Sequence, residues 1–224
     1  MTIFIKAVPG KMHSVIYTDI DGRHFRFFGG TWAWRNHNPG NLRPKKRGRF
    51  KNQIGVVDNF AIFPTDQLGH EAFIKDLKDN YMDDSIDQMV RHYAPKKEND
   101  TKAYAKFLHE KTGVYDDRPL KDFTPTQFKK LWMAIQQKEG YKVGKITEVF
   151  RVEKVVLIQK DLYQLYLENN QSISEKKCIE MAKAHKLELE VCTSDLGNVF
   201  LRTPPKNIFQ KPLHTLRQKT EIVT

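Results

Sequence analysis

The sequence predicts an α+β protein that is mainly α, and three observations carry that reading. Between residues 66 and 140, apolar residues recur at helical spacing, bounded by capping residues. The first 30 residues alternate about an Asp-Gly turn, the mark of a β-hairpin. From about Phe150 the pattern changes, which suggests a domain over 1–150 followed by an accessory module over 151–224.

Met1 to Lys6 reads as a strand without the layout of a secretory signal peptide. Val15-Ile16-Tyr17 leads through Asp19-Ile20-Asp21-Gly22 to His24–Phe28, and Gly29-Gly30 breaks the second arm. Asp19, Asp21 and Gly22 share part of a calcium-loop layout, but the distal Glu is missing and a turn is the better reading. Phe60–Pro64 is a short extended segment. Thr65 then caps a helix over 66–80 with Leu68, Ala72 and Leu77 inward. A second helix starts at Ser85, and a third opens at Asn99-Asp100-Thr101 and closes at Gly113. Thr124 and Pro125 open a fourth, with Phe128, Leu131, Trp132 and Ile135 in register before Gly140. Beyond the boundary the expectation is a helix over 151–168, a second capped by Ser172 or Ser174 through Ala184, and a hairpin of Leu187–Val191 and Asn198–Leu201 before an irregular tail.

The 224 residues carry a net charge of +11, which implies attraction to a polyanion. Nucleic acid, anionic lipid and the anionic bacterial cell wall all qualify, and the run Arg43–Lys51 is the sharpest basic stretch. No apolar run is long enough to span a bilayer. Cys178 and Cys192 lack metal-ligand spacing and read as reduced core residues, with a disulfide between them open only in an oxidising compartment; the pattern calls for no metal and no cofactor.

Two features invite chemistry. Trp34-Arg35-Asn36-His37-Asn38-Pro39-Gly40-Asn41-Leu42-Arg43 crowds turn formers between aromatics and arginines, a rigid loop rich in amide and guanidinium donors. The other is Glu139, which continues the apolar stripe of the fourth helix in its last turn. A carboxyl held against apolar neighbours is desolvated, which favours its protonated form. A general acid for a glycosidic oxygen needs that property. Glu71 is a weaker candidate, followed by Glu98, Asp58 and Asp66; Trp32, Tyr104 and Tyr115 could stack on sugars or fill the core.

Trp34 to Arg43 resembles the aromatic-Arg-Asn-Asn-Asn-Pro-Gly-Asn-Ile-Arg motif of a phage- and toxin-associated family of virion structural and cell-wall-lytic proteins, itself similar to lysozyme-like glycosidases. Three further segments resemble that family in order: Phe60–Phe63 with Gly69 and Ala72, Tyr93–Thr101 with Tyr104, and Ala134-Ile135 through Glu139-Gly140. His37 stands where the family has an asparagine, and Lys138-Glu139-Gly140 replaces a His-Glu-Asn-Gly ending. The resemblance covers roughly 16–145 and implies a lysozyme-like helical domain that cleaves peptidoglycan glycan strands, by hydrolysis or lytic transglycosylation. Glu139 would be the acid/base, and Trp34, Arg35, Asn36, Asn38, Asn41, Arg43 and Tyr104 would hold the glycan.

The expected partner is then peptidoglycan or another anionic cell-wall polymer, with residues 151–224 serving a protein partner or secretion machinery. Such a protein would be made in the cytoplasm and act in the periplasm or wall after export or lysis. Two rivals stay open: a non-catalytic wall-binding or virion structural protein, and a nucleic-acid binder using Arg43–Lys51. The second is disfavoured because no nucleic-acid-binding fold is recognisable.

Overall fold

The computed structural model describes residues 2–93, 100–159 and 162–218. The segment 94–99, which holds part of the third resembling motif and Glu98, lies outside the described residues, as does the end of the tail. The chain forms two compact units. One comprises the described parts of Met1–Gly29, Gly55–Asp58 and Gly144–Thr224; the other comprises those of Gly30–Ile54 and Asn59–Val143.

The first unit is built on sheets. Strands β1 (Phe4–Gly10), β2 (Ser14–Asp19) and β3 (His24–Phe28) form an antiparallel meander. Asp19 shapes its second turn, its carboxylate accepting from the Asp21 and Arg23 amides at 3.0 and 2.9 Å, while Gly22 supplies a φ of 81°. Between this meander and the later strands lies β4 (Gly55–Val57), which runs beside β1. Strand β6 (Lys145–Val149) completes the sheet by pairing with β3 from His24↔Val149 to Phe28↔Lys145.

A second sheet orders β12 (Arg217–Gln218), β7 (Val152–Gln159), β8 (Leu162–Leu167) and β9 (Ser172–Ser174), antiparallel except for β12 beside β7. Helix α6 (Glu175–Lys183) is capped by Ser174 and buries Cys178 and Ala182 with Val152, Leu165 and Ile173. Strands β10 (Glu190–Thr193) and β11 (Val199–Arg202) make a hairpin. Both cysteines are free thiols, and burial pushes the Cys178 thiol up to about 12. Arg26 and Glu188, both fully buried, form an ion pair, and Glu188 also accepts from the Lys11 amide and Asn207 at 2.9 Å each.

The second unit is helical. Helices α1 (Trp32–Arg35), α2 (Asp66–Asn80), α3 (Ile86–Tyr93), α4 (Thr101–Thr112) and α5 (Pro125–Glu139) surround a core of Phe63, Phe73, Leu77, Met89, Leu108, Leu131 and Ile135, with β5 (Phe60–Ile62) alongside. The caps are the expected ones. Thr65 accepts from the Leu68 amide, Asp100 from that of Ala103, and Thr124 makes a reciprocal capping box with Gln127.

The expectation of a mainly α protein is overturned: the chain is 34% helix and 27% strand, a mixed α/β fold. The helix expected over 151–168 is instead the β7–β8 hairpin. Val155, Val156, Ile158, Leu162 and Leu165 sit at three- and four-residue steps, but the segment is rich in β-branched and aromatic residues that suit a sheet. The small N-terminal hairpin is part of a four-stranded sheet, and the C-terminal appendage contributes a sheet of its own. Where the sequence suggested a cut at 150, the compact units divide differently, because β6 joins the N-terminal strands. Among the described residues no helix is long and apolar enough to cross a membrane.

Candidate active site

The loop after α1 is a self-bonded turn. The Asn41 amide donates to the Asn38 carbonyl at 2.9 Å, closing a turn over Pro39-Gly40, and Asn41 itself adopts a φ of 46°. The fully buried Asn38 side chain braces it from within. Its Nδ2 donates to the Leu42 and Ala61 carbonyls at 2.9 Å each, and its Oδ1 accepts from the Leu42 amide at 2.8 Å. Two glycines let α2 close on this loop. A Cβ on Gly40 would enter the Phe73 ring, and one on Gly69 would strike the His37 carbonyl.

Helix α5 ends against the loop. Gly140, at a φ of 76°, caps it, so Glu139 is its last residue and is half-buried. Asn41 Nδ2 donates to Glu139 Oε2 at 2.8 Å and the Tyr104 hydroxyl donates to Oε1 at 3.0 Å. Glu139 therefore sits between the loop and α4 with both oxygens accepting, rather than against bare hydrocarbon as its spacing suggested. Burial, the Glu139 charge and this hydrogen bond hold the Tyr104 hydroxyl well above the ordinary tyrosine value, so it stays a donor.

A cavity of about 500 Å³ opens beside Glu139, lined among others by Asn41, Arg43, Lys45, Asp76, Tyr81 and Tyr93. That size suits a small ligand or a few sugar rings. Tyr93 donates to the Gly40 carbonyl, and burial followed by the charges of Glu139, Tyr104, Tyr81 and Asp76 pushes its hydroxyl far up. Burial, with Asp76 and Asp84 nearby, raises Tyr81 to about 12. Cationic side chains cover the aromatic part of the wall: Lys45 lies 4.8 Å over Phe50, and Arg43 lies 5.8 Å over Phe60.

The expected site residues separate into groups. Asn41, Arg43, Tyr104 and Glu139 are brought together at the cavity or directly behind it. Trp34 is buried at 6% exposure, and Asn36 and Asn38 are wholly enclosed, so these three shape the loop instead of facing solvent. Arg35 is nearly enclosed and stacks on Trp32 at 3.8 Å. Glu71 is exposed, accepts from Gln67 at 3.1 Å and lines a separate cavity of about 210 Å³. Asp66 accepts from the Tyr141 hydroxyl at 2.7 Å, and Asp58 lies in the other unit, paired with His13. Tyr115 is 73% exposed, away from the cavity lining. His37 Nδ1 lies 3.1 Å from the Phe63 carbonyl, and among the described residues no three acidic, His or Cys side chains are grouped to hold a metal.

Sequence reasoning missed Asp76. It shares the cavity with Glu139, its Oδ1 accepts from Asn80 at 2.9 Å, and burial raises its carboxyl above the ordinary value against the opposing pull of Lys45. The signal was present: Asp76 falls on the inner stripe of α2 beside Phe73 and Leu77, the same argument that singled out Glu139.

No family model matches the chain. Over 97 residues, 40% of its length, it is 30% identical to protein P5 of Pseudoalteromonas phage PM2, and the match covers 61% of that protein. The chain is thus similar to a phage protein while spanning less than two thirds of that relative's length.

Proposed function

We propose that this protein cleaves the glycan strands of peptidoglycan, as a hydrolase or a lytic transglycosylase acting at the cell wall, with Glu139 as its catalytic carboxylate. One observation carries the reading. Glu139 is held at a cavity by Asn41 from the asparagine loop and Tyr104 from the segment after Tyr93–Thr101, so three of the four resembling segments converge on one carboxyl. Arg43 and Lys45 at the cavity wall suit a substrate bearing peptide or lactyl carboxylates, and the net charge of +11 would keep the protein on an anionic wall. Similarity to a phage protein fits a phage-related origin.

A second reading, a wall-binding or virion structural protein without catalysis, is favoured by one feature: both Glu139 oxygens are already engaged by protein donors. Turbidity of purified cell walls, followed with wild type and Glu139→Gln, separates the two. Clearing by wild type and loss of about 10²–10⁴-fold in the variant is expected for an acid/base carboxyl. Equal wall binding by both proteins, with no muropeptides released by either, would sink the enzyme reading.

A further inference from the structure

We infer that Asp76 is the second catalytic carboxylate of the Glu139 cavity, and that the bond is therefore cut by water. This rests on the glycan-cleavage reading above and narrows it. Two-carboxylate hydrolysis of a glycosidic bond needs a pair of acids bordering one sugar-sized space, and Glu139 alone left the second acid unassigned. Asp76 and Glu139 line the same cavity of about 500 Å³, and Tyr93 lies within electrostatic reach of both. They come from different helices, α2 and α5, so each is held on a rigid element.

The two carboxyls differ in surroundings in the way a division of labour requires. Asp76 is set among Lys45 from the basic loop, Asp79 and Asn80 on its own helix, and Tyr81, and desolvation favours its protonated form. Glu139 accepts from two donors, Asn41 and Tyr104, which fix the direction of its oxygens. Asp76 is then the acid, and Glu139, its oxygens fixed beside the cavity by Asn41 and Tyr104, the base or nucleophile.

The step then balances. The bond between the anomeric carbon and the bridging oxygen breaks, and that oxygen takes the Asp76 proton as it leaves. A water oxygen becomes bonded to the anomeric carbon, directly or after a glycosyl-Glu139 ester. One water proton remains on the new hydroxyl; the other goes to Asp76 when the ester is hydrolysed, or to Glu139 on direct attack, after which exchange with solvent returns both carboxyls to their starting states. No oxidant or reductant is involved. A lytic transglycosylase would need only one carboxylate, because the sugar's own hydroxyl closes on the anomeric carbon.

The test is digestion of purified peptidoglycan in water enriched in heavy oxygen, by wild type, Asp76→Asn and Glu139→Gln, with mass spectrometry of the released muropeptides. Wild type is expected to release reducing ends carrying one heavy oxygen. Asp76→Asn, with an unchanged circular dichroism spectrum, should lose about 10²–10⁴-fold in kcat with little change in KM. If Asp76→Asn does not fold, Asp76→Ser takes its place, and the label in wild-type products still decides the bond type. Wild-type products that are anhydro sugars without label, or a folded Asp76 variant within tenfold of wild type, would overturn the inference while leaving glycan cleavage intact. Absence of any muropeptide from wild type would instead remove the broader reading, and this one with it.

Discussion

Replacing Asn38 with alanine should unfold the asparagine loop at a cost worked from its bonds. The side chain makes three hydrogen bonds in a fully buried position, two to the carbonyls of Leu42 and Ala61 and one from the Leu42 amide. The Leu42 carbonyl keeps the Ala61 amide at 2.8 Å, so its loss is partial. The Leu42 amide loses the Asn38 oxygen and is left buried. Two lost neutral bonds at about 1 kcal/mol each, plus about 1–3 kcal/mol for the stranded donor, give a destabilisation of roughly 3–5 kcal/mol. Urea unfolding at neutral pH reads this directly; with a slope near the upper end of about 1–3 kcal/mol per M, the midpoint should fall by about 1–2 M. Asn41→Gly is the control. It removes the bond to Glu139 but relieves a backbone held at a φ of 46°, so stability should stay within about 1 kcal/mol while any wall-clearing activity falls. A loss below about 1 kcal/mol for Asn38→Ala would refute the claim that this side chain, rather than Pro39 and Gly40 alone, holds the turn.

Three further outcomes follow from other contacts. Gly69→Ala should cost about 1–3 kcal/mol or more, because its Cβ would meet the His37 carbonyl backbone; an unchanged thermal midpoint would refute the close approach of α2. Arg26→Met should destabilise by about 3–5 kcal/mol because Glu188 would be left buried without its cation, and a simultaneous Glu188→Leu should recover much of that loss in denaturant titrations. Burial holds the His37 imidazole below its ordinary 6.5, outweighing the Asp66 charge and the Phe63 and Pro64 backbone. The unfolded chain then binds a proton that the folded chain refuses, so this contribution is complete above about pH 6.5 and is lost as the pH falls below it. His37→Asn should flatten the drop in stability between about pH 7.5 and about pH 5 without abolishing it, since burial also lowers His70 and His185. Parallel profiles for the two proteins would contradict this.

What could be read from the sequence were the features written locally. Thr65, Asp100, Thr124 and Ser174 cap where their side chains demanded, and the Asp19–Gly22 turn joins the strands expected on either side. Strand β6 was illegible because its partner β3 is remote in sequence, and with Lys145, Ile146 and Glu148 all exposed the strand shows little periodicity. The β7–β8 hairpin failed for the opposite reason: its apolar residues satisfy two periods at once, and only packing chooses between them. At the site, the unusual residues were found but their duties were not. A buried asparagine bonding backbone and a half-buried one bonding a carboxylate are identical as letters; Asn38 and Asn41 differ by what the fold puts around them. Asp76 went unread although its place beside Phe73 and Leu77 on the inner stripe of α2 carried the same signal as Glu139; what the letters lack is the cavity that the two share.

The pairing of β3 with β6 also bears on how the protein is made. Every residue between Phe28 and Lys145 must leave the ribosome before the first sheet receives its fourth strand. At about 5–20 residues per second, that is roughly 6–25 s during which the β3 edge has open amides and carbonyls. The intervening helices share a hydrophobic core of their own and can condense in that interval. The early meander is therefore the segment most in need of a chaperone, and slowing translation after residue 28 should raise aggregation of nascent chains more than slowing it after residue 149.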